Sequence, residues 1–128
     1  MTDFAPEQAQ YTKKNTGLLR LIRAVGHSSA GLRYAVRHEA AIRQEIGLLV
    51  AGFIAVTTMD VSRIESILLM GSLILVFIVE LLNSSIEAVV DRIGVEYHVL
   101  SGAAKDMGSA AVLISIVFAA AVWVSILL

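Results

Sequence analysis

Nineteen consecutive residues, 110–128, carry no charge. At about 1.5 Å of helix rise per residue, such a run nearly matches the ~30 Å hydrocarbon core of a bilayer. A chain that contains it has little choice but to place it in a membrane. Two shorter apolar runs precede it, at 46–59 and 67–79. Residues 40–42 extend the first backwards, and the second continues in mixed form to about residue 90. The chain as a whole is 57% hydrophobic and 16% charged, against about half and about a quarter in soluble globules. Nine glycines and one proline suit helices better than a turn-rich barrel, and no alternating barrel-type segments occur. The expected fold is an all-α membrane protein with one domain over 16–128. Its three transmembrane helices are expected at about 40–59, 64–90 and 108–128.

Ahead of the spans, residues 1–15 read as a mobile tail with Pro6, two glutamines and little hydrophobic pattern. Leu18, Leu21, Ile22 and Val25 then fall on one helix side, and Arg20 and Arg23 on the other. That pattern predicts an amphipathic helix lying on the membrane surface, in an element running from about 16 to 38. Gly26, Ser28, Ser29 and Gly31 weaken the helical preference and predict a bend or loop there. A second amphipathic piece, about 31–45, leads into the membrane.

Seven of the ten Lys and Arg residues precede the first long apolar run, one lies in the 60–65 loop, and Arg92 and Lys105 lie in 91–108. Basic residues collect on the cytoplasmic side, so the N-terminus and the 91–108 loop are expected there, with the C-terminus on the far side. The polar first residues argue against a cleaved signal peptide. Cysteine is absent, which excludes disulfides, thiolate metal sites and cysteine nucleophiles. A net charge of −1 gives no support for a nucleic-acid partner.

The feature that apolar spans do not explain is ELLNSSIEAVVD at 80–91. At about 100° per residue, Glu80, Asn83, Ser84, Glu87 and Asp91 share a stripe roughly 100° wide. Leu81, Leu82, Ile86, Val89 and Val90 cover the remainder. Glu80 is deepest, with Glu87 and Asp91 roughly 10 and 16 Å nearer water along the axis. Carboxylates at membrane depth cost at least a few kcal/mol each unless partnered.

Two readings of the stripe fit. One is interhelical hydrogen bonding, common for an amide and a hydroxyl such as Asn83 and Ser84. The other is chemistry, with Glu80 accepting a proton from a hydroxyl presented at the lipid interface. Glu87, joined by Glu39 near the same surface, would hold a divalent cation carrying phosphates. Mg²⁺ asks for only one or two protein carboxylates beside phosphate oxygens. In the next loop Lys105 suits a phosphate clamp or a positive-inside anchor, and Asp106 or Glu96 an acceptor for an adenine amino group. No zinc spacing, phosphate loop or soluble-kinase signature occurs. The residues alone describe a small membrane protein with an interfacial acidic site suited to cation-assisted transfer.

ELLNSSIEAVVDRIGVEYH at 80–98, AKDMGSAAV at 104–112, EAAIRQE at 39–45 and Thr16, Gly17 and Arg20 together carry a resemblance. The chain closely resembles the bacterial integral-membrane diacylglycerol kinase family over nearly everything after the tail. That resemblance implies a homotrimer with active sites shared between neighbours, in a bacterial inner membrane with the C-terminus periplasmic. It implies transfer of the γ-phosphoryl of MgATP to the free hydroxyl of a 1,2-diacylglycerol, giving phosphatidic acid and ADP.

By position in the matched blocks, Glu80 is implied as general base, and Glu39 and Glu87 as Mg²⁺-associated carboxylates. Arg20, His27, Glu96, Tyr97, His98, Lys105 and Asp106 are implied as nucleotide contacts, with Asn83 and Asp91 supporting. Ser28, Arg43, Gln44, Glu45, Ser109 and Trp123 match positions near the lipid substrate. Where familiar members carry a tyrosine after the surface helix, this chain has His27, so a hydroxyl contact there is not carried over. Ser29 and Ala30 replace the aromatic and basic residues that usually follow. Undecaprenol kinase shares the fold and chemistry but takes a polyprenol, and the EYH and KDMGS blocks look nearer the diacylglycerol branch. A non-catalytic membrane subunit or proton relay is the alternative of a different class.

Overall fold

The computed structural model describes residues 17–128, which form four helices: α1 Leu18–His38, α2 Ala40–Thr58, α3 Arg63–Ile93 and α4 Val99–Leu127. The expected tail at 1–15 lies outside the described residues. Two compact units meet in sequence between Tyr34 and Ala35. The first carries most of α1; the second carries α2, α3 and α4.

Helix α1 runs without interruption through Gly26, Ser28, Ser29 and Gly31, where the sequence predicts a bend. No proline removes a ladder donor there, and glycine costs only about 1 kcal/mol relative to alanine in a helix. The break falls at Glu39 instead, whose extended backbone (φ −109°, ψ 116°) precedes α2. Arg43 reaches back across it, donating to the Val36 carbonyl at 2.9 Å and the Arg37 carbonyl at 3.5 Å. Those are last-turn carbonyls of α1 with no helical partner of their own.

All three later helices are long and apolar enough to cross a membrane. The 19 residues of α2 give about 28 Å. The 31 of α3 and 29 of α4 give about 46 and 44 Å, so both outreach a ~30 Å hydrocarbon core. Helix α4 begins at Val99, earlier than the expected span start near 108, so Lys105 and Asp106 stand on a helix and not in a loop. His98 starts it, its Nδ1 accepting the Leu100 N–H at 3.2 Å. A capping box starts α3: the Glu65 N–H donates to Ser62 Oγ at 3.3 Å, and the Ser62 N–H to Glu65 Oε2 at 2.7 Å.

Helix α3 is the central element and packs against both α2 and α4. Its buried residues Leu69, Ser72, Val76 and Asn83 recur at helical spacing and mark one covered face. The Trp123 Nε1–H of α4 donates to the Leu69 carbonyl at 3.2 Å. Gly52 lets α2 close on this pair, since a β-carbon there would sit 2.5 Å from Leu73 Cδ1 and 3.5 Å from Trp123 Cζ2. The buried hydroxyls of Ser72 and Ser115 donate to carbonyls of their own helices, Leu69 at 2.8 Å and Val112 at 2.7 Å. Outside this seam Leu48, Phe53, Ile74, Ile78, Leu113 and Val117 stay exposed. Lipid tails are as apolar as leucine, so such faces gain little from packing and suit a lipid solvent.

Candidate active site

Four of the five stripe residues of α3 lie on its covered face. Asn83 is buried and Glu80, Ser84 and Glu87 are half-buried, whereas Leu82, Ser85, Ile86 and Val89 are exposed. Four residues apart on the helix, Asn83 and Glu87 meet: the amide Nδ2 donates to Glu87 Oε1 at 3.2 Å. Glu39 and Glu87 both act electrostatically on Glu80, and Glu80 acts on Glu45. The entry to α2 and the end of α3 therefore gather carboxylates that are distant in sequence. Like charges with little water between them repel, and a cation among them relieves that repulsion. Glu45 adds a further constraint, because its Oε2 is buried without a hydrogen-bond partner.

Among the described residues no group of three His, Cys, Asp or Glu side chains forms a ready cage for a metal ion. Mg²⁺ needs no such cage when phosphate oxygens and waters fill most of its shell. The carboxylates of Glu39 and Glu87 fit that case.

At the last residue of the stripe, the exposed Asp91 forms an ion pair of 2.9 Å with Lys105 that joins α3 to α4. Beside it lies a cavity of about 490 Å³ whose lining includes Asp91, Glu96, Tyr97, His98, Gly102 and Lys105. This gathers most of the residues that resemblance implies for the nucleotide. The Tyr97 ring lies over Gly102, with Cε2 3.7 Å from where a β-carbon would be. At the other end of the stripe an apolar groove of about 450 Å³ runs between α2, α3 and α4. Glu45, Leu48, Gly52, Leu73, Val76 and Trp123 are among its walls, so two residues expected near a lipid substrate share one groove.

Other residues singled out in the sequence stand apart. Gln44, Asp106 and Ser109 are exposed and line neither cavity, and Arg43 is engaged with the carbonyls of α1. Arg20, His27 and Ser28 lie exposed along α1 in the N-terminal unit. Sequence reasoning missed Gly102 and Gly108. The only signal for either is a glycine inside a helical pattern, which often marks a close approach.

The model of the family described as prokaryotic diacylglycerol kinase matches residues 26–127. A diacylglycerol kinase of Escherichia coli K12 is 59% identical over 109 residues, covering 84% of this chain and 88% of its own. One from Shigella flexneri shows the same identity and coverage. One from Pseudomonas aeruginosa is 47% identical over 116 residues, covering 91% of this chain and 94% of its own.

Proposed function

The chain belongs to the prokaryotic diacylglycerol kinase family, and on that basis we propose a division of labour along α3 for its reaction. It is a diacylglycerol kinase, an enzyme of a multi-pass membrane protein family. The donor is MgATP and the products are phosphatidic acid and ADP. One observation supports the division above others: along α3, Glu80 falls between Val76, which lines the apolar groove, and Val90, which lines the water-side cavity. A base that serves a lipid hydroxyl and a soluble nucleotide belongs at that junction.

In this reading one acyl chain lies in the groove and holds the glycerol hydroxyl near Glu80. The hydroxyl oxygen bonds to the γ-phosphorus, the bond from that phosphorus to the β,γ-bridging oxygen breaks, and the hydroxyl proton passes to the Glu80 carboxylate. Such transfer depends on positioning and charge neutralisation more than on covalent catalysis. Mg²⁺, when bound, neutralises phosphate charge, and Glu39 and Glu87 are the residues to hold it. Lys105 supplies a cation to the phosphates by leaving Asp91. Glu96, Tyr97 and His98 bound the cavity in which the base is held.

The working form is a homotrimer with sites shared between neighbours. The N-terminus and the 91–108 segment face the cytoplasm, where ATP is supplied. ATP-dependent phosphorylation by the purified protein in mixed micelles tests the reading, with diacylglycerol and undecaprenol offered separately. Diacylglycerol should be labelled, and Glu80→Gln should abolish labelling in protein that stays folded. Preferential labelling of the polyprenol, or normal turnover by Glu80→Gln, overturns it.

A further inference from the structure

The seam between α3 and α4 contains a contact that neither helix needs for membrane crossing. Asn83 is 8% exposed, and its side chain lies on Gly108 of α4, itself buried. A β-carbon at Gly108 would collide with Asn83 Oδ1 and come within 3.2 Å of Cγ. Alanine is favoured over glycine in a helix interior, so a glycine here holds open a space that the amide occupies.

The orientation of that amide is fixed from its other end. The amide Nδ2 donates to Glu87 Oε1 at 3.2 Å, and a carboxylate oxygen is the natural acceptor for it. Oδ1 is then turned into the seam, where it is buried and has no hydrogen-bond partner. Turning the amide over would set Oδ1 against the carboxylate, two acceptors face to face. The amide thus leaves one acceptor unmet in order to donate to Glu87, and its freedom to swing away is limited by the backbone of Gly108 beneath it.

We infer that Gly108 is a positioning residue for phosphoryl transfer: it seats the Asn83 amide, and the seated amide orients the Glu87 carboxylate. The inference rests on the reading of Glu87 as a residue that meets the cation and phosphates of the nucleotide. Gly108 touches no substrate itself. It acts through Asn83, and Asn83 acts through one hydrogen bond.

The test uses the full chain in mixed micelles, with Gly108→Ala, Asn83→Ala, the double variant and Glu87→Gln compared with the parent. Two quantities are read: kcat with diacylglycerol, and the affinity for Mn²⁺ with a non-hydrolysable ATP analogue, followed by electron paramagnetic resonance. Gly108→Ala and Asn83→Ala should each weaken both by roughly 10- to 100-fold, as loss of an outer partner of a metal-binding group does. The double variant should be no worse than the poorer single one, because both act on the same hydrogen bond. Where Gly108→Ala alone fails to assemble, adding Asn83→Ala removes the collision, and the double variant should fold while still binding Mn²⁺–nucleotide weakly. Losses that multiply, or normal Mn²⁺–nucleotide affinity in a folded Gly108→Ala or double variant, overturn the inference. If Glu87→Gln leaves that affinity unchanged, the reading of Glu87 fails and the inference falls with it. If Glu87→Gln weakens it and Gly108→Ala does not, the reading of Glu87 stands and only the seat is wrong.

Discussion

Lys105 Nζ lies 2.9 Å from Asp91 Oδ1, and the two side chains are 41% and 67% exposed. Water reaches both groups, so the pair is weak enough to exchange partners. A phosphate entering the adjoining cavity competes with Asp91 for the ammonium, and it brings more charge to the contest. Lys105→Ala should therefore raise the KM for ATP by about tenfold or more, with the KM for diacylglycerol nearly unchanged. Asp91→Asn should alter the KM for ATP far less. Initial rates across an ATP series check both, and an unchanged nucleotide dependence in Lys105→Ala would count against the clamp.

Glu80 and Glu87 lie two turns apart on one face, and the proposed division gives them different steps. Replacing Glu80 by Gln removes the proposed proton acceptor and should lower kcat by about 10²- to 10⁴-fold while ATP still binds. Replacing Glu87 by Gln should weaken nucleotide and metal affinity together with turnover. Both proteins should keep their helical circular dichroism and oligomeric size. Equilibrium binding of an ATP analogue separates the two variants, and identical binding losses would contradict the division.

The groove between α2, α3 and α4 exists because small residues line it, among them Ala51, Gly52, Ala55, Ala119 and Ala120. Ala55→Leu fills part of it from a half-buried position. Turnover of long-chain diacylglycerols should then fall several-fold relative to dihexanoylglycerol. Gly52→Leu goes further, driving side-chain atoms into Leu73, and overpacking of this sort destabilises by about 1–3 kcal/mol. Competition between short- and long-chain acceptors reads the first effect, and the midpoint of thermal inactivation reads the second.

Ser62 caps α3 at the end far from the acidic stripe. Its replacement by alanine should destabilise the protein by about 1 kcal/mol and leave kcat and both KM values at parental levels. Reversible denaturation in micelles measures the first and steady-state kinetics the second.

Much of this arrangement is legible in the sequence, for identifiable reasons. Apolar runs reveal the spans because the bilayer tolerates little else, and the stripe at Glu80, Asn83, Ser84 and Glu87 follows from helical spacing alone. The same periodicity says nothing about which helix covers that face, so the seat of Asn83 on Gly108 is invisible until α4 is in place. Hydropathy also hides the first turns of α4, which starts at Val99. Lys105 and Asp106 interrupt the apolar run and read as loop, yet a helix that outreaches the hydrocarbon carries charges on its wet turns without penalty. Gly26 to Gly31 mislead in the opposite direction. They look like a bend because glycine and serine are poor helix formers, but poor propensity spread over a few residues does not undo a ladder that keeps all its donors.

The unequal lengths of the three spans have a consequence for the membrane itself. Only α2, at 19 residues, is close to the thickness of a typical hydrocarbon layer; α3 and α4 exceed it. A thicker bilayer must therefore thin around α2 or swallow its charged entrance at Glu39 and Arg43, and with it the level at which Glu80 meets water. A thinner one would tilt the two long helices and lift the groove mouth towards the headgroups. Hydrophobic mismatch should therefore act on turnover, so that the thickness of the surrounding lipid tunes an enzyme that consumes one of its members.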